Sequence, residues 1–202
     1  MLELRNLTVY RGEKKICENL SILVERGSTL IIRGRNGSGK STLLEFLMGV
    51  STPASGQVIL DDRNLHDLSR AERKLFLGST GIVLQQSLLR NYDTPRRALS
   101  EQHLSEEKIS EMLDFLGLEQ SADRPLNHLS FGEKRRLDLV RSLVNDPSLL
   151  IWDEPFLSLD GVYREKFQSI LLKLKSMGST MIIATVSSEQ FEFLSPEKVL
   201  EL

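Results

Sequence analysis

Cysteine is almost missing from this 202-residue chain. Cys17 is the one example, which excludes a disulfide framework and any cysteine-based metal site, and reads as a buried thiol in a reducing compartment. Histidine is scarce as well: His66, His103 and His128 are scattered, so a zinc or redox enzyme is set aside. No apolar run approaches the roughly 18 residues of a membrane span. Met1 to Arg5 alternates like a strand and lacks the apolar core of a signal peptide. Any membrane role is therefore expected through a partner, with no direct membrane insertion. Charge of one sign is absent too: 26 Lys and Arg face 28 Asp and Glu, a formal net charge of −2. That balance gives no electrostatic reason to expect a nucleic-acid ligand. There are no internal repeats and no low-complexity tracts. What remains is ordinary soluble material, 40% hydrophobic and 27% charged, of single-domain length with a sizeable core.

Against that background one stretch stands out. Residues 34 to 41 read GRNGSGKS, the spacing G-x-x-x-x-G-K-[ST] with Gly34, Gly39, Lys40 and Ser41 at the fixed positions. Chance supplies this pattern in roughly 1% of chains of such length. Its flanks fit: Thr29 to Arg33 is a short apolar strand, Thr42 to Met48 has helical apolar spacing, and Gly49 is a stop. Arg35, Asn36, Gly37 and Ser38 complete a loop whose backbone N–H groups can turn inward to phosphate oxygens, and the helix start at Ser41 and Thr42 adds partial positive charge. Lys40 is expected to reach the β- and γ-phosphates and the Ser41 hydroxyl to hold Mg²⁺.

The rest predicts an α/β fold: a P-loop NTPase core with a mainly parallel sheet covered on both faces, an N-terminal antiparallel β subdomain and a small helical subdomain. Leu2, Leu4, Leu7 and Val9 mark an opening strand, Tyr10 to Glu13 a turn, Asn19 to Glu25 a second strand and Arg26-Gly27 a hairpin turn. Ser51 to Gly56 is a loop and Gln57 to Leu60 a short strand, Ser69 to Leu77 a helix and Thr80 to Leu84 a buried strand. From Ser87 to about Leu129 the pattern is helical, with caps at Thr94-Pro95 and Ser105, a stop at Gly117 and an apolar face of Ile109, Met112, Leu113 and Leu116. Ser130 and Glu133 form a capping box for a helix with Leu137, Val140 and Val144 on its apolar stripe. Ser148 to Trp152 and Thr180 to Thr185 are core strands, Gly161 to Met177 a long amphipathic helix, and Lys198 to Leu202 a closing strand. We expect one domain over 1–202, with the antiparallel strands and phosphate loop in 1–84, the helical part in 85–130 and the remaining core in 131–202.

Asp153-Glu154 follows the apolar strand, where ligands gather in α/β sheets. The first carboxylate fits a Walker B aspartate supporting Mg²⁺. On an extended backbone Glu154 points the other way and could polarise an attacking water. Between the phosphate loop and this pair lies Leu129 to Arg136, LSFGEKRR, whose Ser130 opens another helix with an anion-attracting N-terminus. Order and sequence together resemble the ATP-binding cassette (ABC) ATPases, whose signature reads LSGGQ. Leu129, Ser130 and Gly132 match, while Phe131 replaces a glycine and Glu133 a glutamine. The resemblance extends over essentially the whole chain. Gln85 matches the Q-loop glutamine, which in the family touches Mg²⁺ or water and senses the membrane subunit. Ser158-Leu159-Asp160 matches the D-loop of the dimer interface. Tyr10 is placed like the aromatic that stacks on adenine, although by itself it also suits an amphipathic strand end.

The resemblance implies ATP and Mg²⁺ as cofactors and a head-to-tail homodimer. In it each nucleotide lies between one copy's residues 34–42 and the other copy's Ser130, Gly132 and Asp160. Lys40, Gln85 and Glu154 carry the catalysis, and Ser41, Gln85 and Asp153 the metal. It further implies an integral membrane subunit docked around residues 85 to 129, and a cytoplasmic protein peripheral on the inner face of the cell membrane. The short chain looks most like stand-alone bacterial subunits of haem-exporter or lipoprotein-release systems. A regulatory ATPase of the cell-division type, acting on a membrane machine without transporting, is the alternative. A DNA-repair type is excluded because the 88 residues between Ser41 and Ser130 leave no room for a coiled coil. One departure stands: the family's Thr-His after the last core strand is Thr185-Val186 here, and valine cannot donate to a phosphate. Slow hydrolysis, or substitution by Thr185, Ser187 or Gln190, is expected.

Overall fold

The computed structural model describes residues 1–87, 89 and 93–202, arranged as two sheets with helices around them. The first sheet is antiparallel. Strands β1 (Leu2–Arg11) and β2 (Lys14–Val24) pair across the Gly12-Glu13 turn, and β4 (Ser55–Leu60) with the short β5 (Arg63–Asn64) extends the other edge. Tyr10 and Arg11 therefore belong to the strand and not to the expected turn, and β2 starts at Lys14, earlier than expected. Adjacent polar pairs, Lys14-Lys15 and Glu18-Asn19, masked that early start: this half of β2 is largely exposed, so apolar density alone underestimates it.

The second sheet holds β3 (Thr29–Arg33), β6 (Thr80–Val83), β7 (Leu149–Asp153), β8 (Thr180–Thr185) and β9 (Lys198–Glu201) in the order β6-β7-β8-β3-β9, all parallel. Arg26-Gly27 is thus no hairpin turn. It carries the chain from one sheet to the other, because β3 needs parallel neighbours on both sides. Strands β7 and β8 are buried at every residue, as near-continuous apolar runs demand of a central parallel strand. Alternation sorts their side chains. Leu30, Ile32, Ile151, Ile182 and Ala184 face a core shared with the antiparallel sheet and α1 (Lys40–Leu47). Ile31, Leu150, Trp152, Met181 and Ile183 face the core beneath α5 (Phe131–Leu143) and α6 (Gly161–Ser176).

Helix α2 (Arg70–Ser79) opens on a Ser69–Glu72 capping box and buries none of its residues. The helical stretch contains α3 (Pro95–Ser100), capped by Thr94 with proline in its first turn, and α4 (Glu106–Leu116), capped by Ser105 and closed by Gly117 in the left-handed region. Ile109, Leu113 and Leu116 are buried as the period predicts, and Met112 is half-buried. Part of the Ser87–Leu129 expectation falls on residues 88 and 90–92, outside the described residues. Two 3₁₀ segments, Leu126–His128 before Ser130 and Ser188–Leu194 after β8, were not legible in the periodicity because their apolar spacing is too short. Cys17 is half-buried, its thiol pushed up by burial, with Sγ donating to Leu7 O at 3.6 Å.

Candidate functional site

The carboxyl ends of the parallel strands converge. Beyond β3 lies the glycine loop, beyond β6 Gln85, at the end of β7 Asp153 and Glu154, and beyond β8 Val186. The loop is held from two sides. The Gly34 N–H donates to Thr185 O at 3.2 Å and Ser38 N–H to Arg35 O at 3.1 Å, closing the turn within. From the first sheet, Lys14 Nζ donates to Gly37 O at 2.6 Å and Ile16 packs over Gly39. Gly39 has φ +122°, and a Cβ there would stand 2.4 Å from the Ile16 side chain, so both conformation and space select glycine. Helix α1 then begins at Lys40 with no side-chain cap, leaving its first N–H groups to other acceptors.

Asn36, Gly37, Gly39, Lys40, Ser41, Thr42, Gln85, Asp153 and Glu154 line one cleft of ≈ 100 Å³ together with Arg11. The structure thus brings the predicted loop, Gln85 and both carboxylates to one place. Gly34, Arg35 and Ser38 stay outside the lining, and the first two serve through their carbonyls, which accept from Lys40. Ser130, Gly132, Asp160 and Tyr10 do not line this cleft either.

Lys40 is 6% exposed and donates to Gly34 O at 2.7 Å and Arg35 O at 3.4 Å, and it forms an ion pair with Glu154 Oε1 at 3.4 Å. Ser41 and Asp153 stand together in the cleft. Burial pushes the Asp153 carboxyl up; the Ser41 hydroxyl and the Lys40 and Arg135 charges pull against it. A carboxylate buried with a hydroxyl beside it, its ionisation opposed by desolvation, is the donor set that a hard divalent cation relieves.

Glu154 departs from expectation. Its backbone is not extended but left-handed, φ +46°, with its N–H donating to Ala184 O at 2.9 Å. The twist puts Glu154 in the same cleft as Asp153 instead of on the opposite face, and Thr185 Oγ1 donates to Glu154 Oε2 at 3.2 Å. The reason is the tight β7-to-turn exit over the end of β8, which apolar patterning does not encode. Sequence reasoning also missed Arg135, a 2%-exposed guanidinium beneath the acidic pair. The signal existed: Arg135 lies one turn before Leu139, itself fully buried but left off the expected stripe.

At the other end, Ser130 caps α5. Its hydroxyl accepts from Glu133 N–H at 3.2 Å and donates to Glu133 Oε2 at 2.7 Å, while its own N–H donates to the same oxygen at 2.7 Å. Those bonds hold the Glu133 carboxyl below its ordinary range, so the box stabilises α5 at neutral pH and is lost as acid protonates it. Gly132 sits where a Cβ would come within 2.9 Å of Ser158 O, which ties the signature turn to the segment before α6. Asp160 caps α6, accepting from Tyr163 N–H at 3.0 Å. Tyr10 is 42% exposed and Phe131 51%. Ser130→Ala should cost about 1 kcal/mol of folding stability through the lost cap; chemical denaturation measures it, and an unshifted midpoint would refute the assignment.

A family model described as ABC transporter matches residues 17–157. The chain belongs to the ABC transporter family. Within it, the chain is an ABC-type ATPase and resembles ATP-binding subunits along nearly all its length. It is 34% identical over 203 residues to the Nod factor export ATP-binding protein I of Cupriavidus metallidurans, covering 96% of this chain and 65% of that protein. It is 32% identical to the lantibiotic transport ATP-binding protein SrtF of Streptococcus pyogenes, covering 96% of this chain and 84% of that protein. The cytochrome c biogenesis ATP-binding export protein CcmA of Reclinomonas americana is also 32% identical, covering 91% and 84%. Among solved structures, the dimeric structure of MJ0796, a bacterial ABC transporter cassette, superposes with TM-score 0.85 at 28% identity, covering 100% of this chain and 94% of that one. A post-hydrolysis dimer of the same cassette with ADP and Pi gives 0.82 at 27%, with the same coverage. Among the described residues of this ABC ATPase, no helix is long and apolar enough to cross a membrane.

Proposed function

We propose that this ABC ATPase is the nucleotide-binding subunit of a membrane transporter, working as a head-to-tail homodimer that closes on ATP. The observation that carries the reading is the division of the predicted residues. Asn36, Gly37, residues 39–42, Gln85, Asp153 and Glu154 share one cleft, whereas Ser130, Gly132 and Asp160 lie elsewhere on the same chain. A cleft of ≈ 100 Å³ suits a phosphate tail and not a whole nucleotide, since small-molecule pockets run to about 300–1,000 Å³. A second copy presenting its Ser130 turn would complete it, and a solved relative is itself dimeric.

In this reading the loop N–H groups and Lys40 hold the β- and γ-phosphates. Ser41, Asp153 and Gln85 would hold Mg²⁺, which when bound supplies positive charge to the bridging phosphate oxygens. Glu154, oriented by Thr185, accepts the proton of the attacking water. Tyr10 offers its exposed ring to the adenine. The chain would sit in the cytoplasm against the inner membrane face, with residues 85 to 129 toward the membrane subunit. Relatives named for export and for import occur side by side, which supports leaving cargo and direction to that subunit.

Purification from membranes in mild detergent tests the proposal. A multi-span membrane protein should co-purify at fixed stoichiometry, in an ATP-responsive complex. A few-span partner tied to cell-wall enzymes would instead favour the regulatory alternative.

Val186 is the observation that favours that alternative. It is 45% exposed, next to Thr185, whose carbonyl and hydroxyl hold Gly34 and Glu154. A single missing transition-state donor lowers rates by on the order of 10²–10³-fold. Val186→His should therefore raise turnover by up to about 10²-fold in a phosphate-release assay. An unchanged rate beside brisk wild-type turnover would count against slow hydrolysis and place the function on Thr185, Ser187 or Gln190.

A further inference from the structure

Arg135 is buried to 2% exposure yet forms none of the ion pairs found among the described residues. Its Nη1 donates to Leu84 O at 2.7 Å, and its Nη2 donates to Asp153 O and to Glu154 O, both at 2.7 Å. The Nε has no hydrogen-bond partner among the described residues. Carbonyl dipoles therefore hold the charge, with the carboxylates of Asp138, Asp153 and Glu154 around it. Burying a guanidinium in this way carries a desolvation cost that a packed apolar side chain would avoid. Stability alone is a poor reason for an arginine here.

The three carbonyls supply a better reason. Leu84 immediately precedes Gln85, and the other two belong to the acidic pair. Glu154 is in the left-handed region, φ +46°, a conformation that non-glycine residues hold only when their surroundings fix it. It is fixed on both sides: its N–H donates to Ala184 O, and its carbonyl accepts from Arg135. This backbone conformation turns the Glu154 carboxylate toward Lys40. Arg135 also rides on α5, five residues from Ser130, so one guanidinium links the signature helix to both strand ends of the chain's own phosphate cleft.

We infer that Arg135 is a positioning residue for ATP hydrolysis, clamping Glu154 in its left-handed conformation and fixing Gln85 and the acidic pair relative to the first turn of α5. A planar fork suits this task because its donors have set directions, whereas a lysine ammonium is a single point on a flexible stem. The inference rests on the nucleotide-site reading above.

Arg135→Lys and Arg135→Gln test it, with Leu113→Ala as a control that opens the buried core of α4 without touching the site. For each protein we would measure the melting temperature, affinity for a fluorescent ATP analogue, and kcat and KM of ATP hydrolysis. Both Arg135 variants should keep KM and ATP affinity within about twofold while kcat falls about 10- to 10²-fold, the effect of misplacing a catalytic group by around an ångström. Leu113→Ala should lose at least as much melting temperature yet keep its kcat. A kcat within about twofold of wild type in either folded Arg135 variant overturns the inference, as does an equal loss in Leu113→Ala. If neither Arg135 variant melts cooperatively, Arg135 belongs to the fold and the inference also fails. A wild-type chain that binds no ATP overturns the nucleotide-site reading itself, which a fully active Arg135→Lys would leave standing.

Discussion

Glu154→Gln should cut ATP turnover by about 10²–10⁴-fold, the usual contribution of a positioned general base, while ATP still binds. The amide has the shape of the carboxylate and can still accept from Thr185 Oγ1, so the cleft keeps its form. It cannot take the proton of an attacking water. It also removes a negative charge 3.4 Å from Lys40, which frees that ammonium for the phosphates and should make ATP binding tighter. With hydrolysis blocked, the ATP-bound dimer should persist and be visible by light scattering after gel filtration in ATP. Turnover within about threefold of wild type would remove Glu154 from the role of base.

Lys40→Ala should weaken ATP binding by about 2–5 kcal/mol, the cost of truncating one member of a buried hydrogen-bonded charge pair. That corresponds to roughly 30- to 4,000-fold in Kd. In the absence of nucleotide the ammonium is already buried against Gly34 O and Glu154. The same substitution therefore leaves the Glu154 carboxylate, with its side chain only 13% exposed, without its cation, and should lower stability as well. The double variant Lys40→Ala, Glu154→Gln separates the two effects. It should recover the lost melting temperature without recovering nucleotide affinity. Thermal melting checks the first part and calorimetric titration with ATP the second. An unchanged Kd in Lys40→Ala would defeat the phosphate-binding assignment.

Much of this protein was legible before any fold was drawn. Local rules sufficed for β3 and β8, which end where their apolar runs end, and for the caps at Thr94, Ser105 and Ser130. The glycine loop was legible for the same reason: a phosphate cradle needs glycines, a lysine and a hydroxyl at fixed spacing on a strand–helix exit, all within a few residues. Adjacent polar pairs hid the start of β2, and short 3₁₀ segments carry no period long enough to read.

What the sequence by itself determined is the set of chemical parts and their order: the loop at 34–41, Gln85, the Ser130 turn and the acidic pair, all carried by short-range patterns. Only the tertiary structure decided their grouping. The order β6-β7-β8-β3-β9 places strand ends far apart in sequence around one cleft, a matter of long-range pairing that no window of residues contains. It also decided the left-handed turn at Glu154, which depends on Ala184 and Arg135, 30 and 19 residues away. The same long-range contacts bury Arg135 beneath that turn, because a charged side chain enters a core only where distant carbonyls converge to receive it.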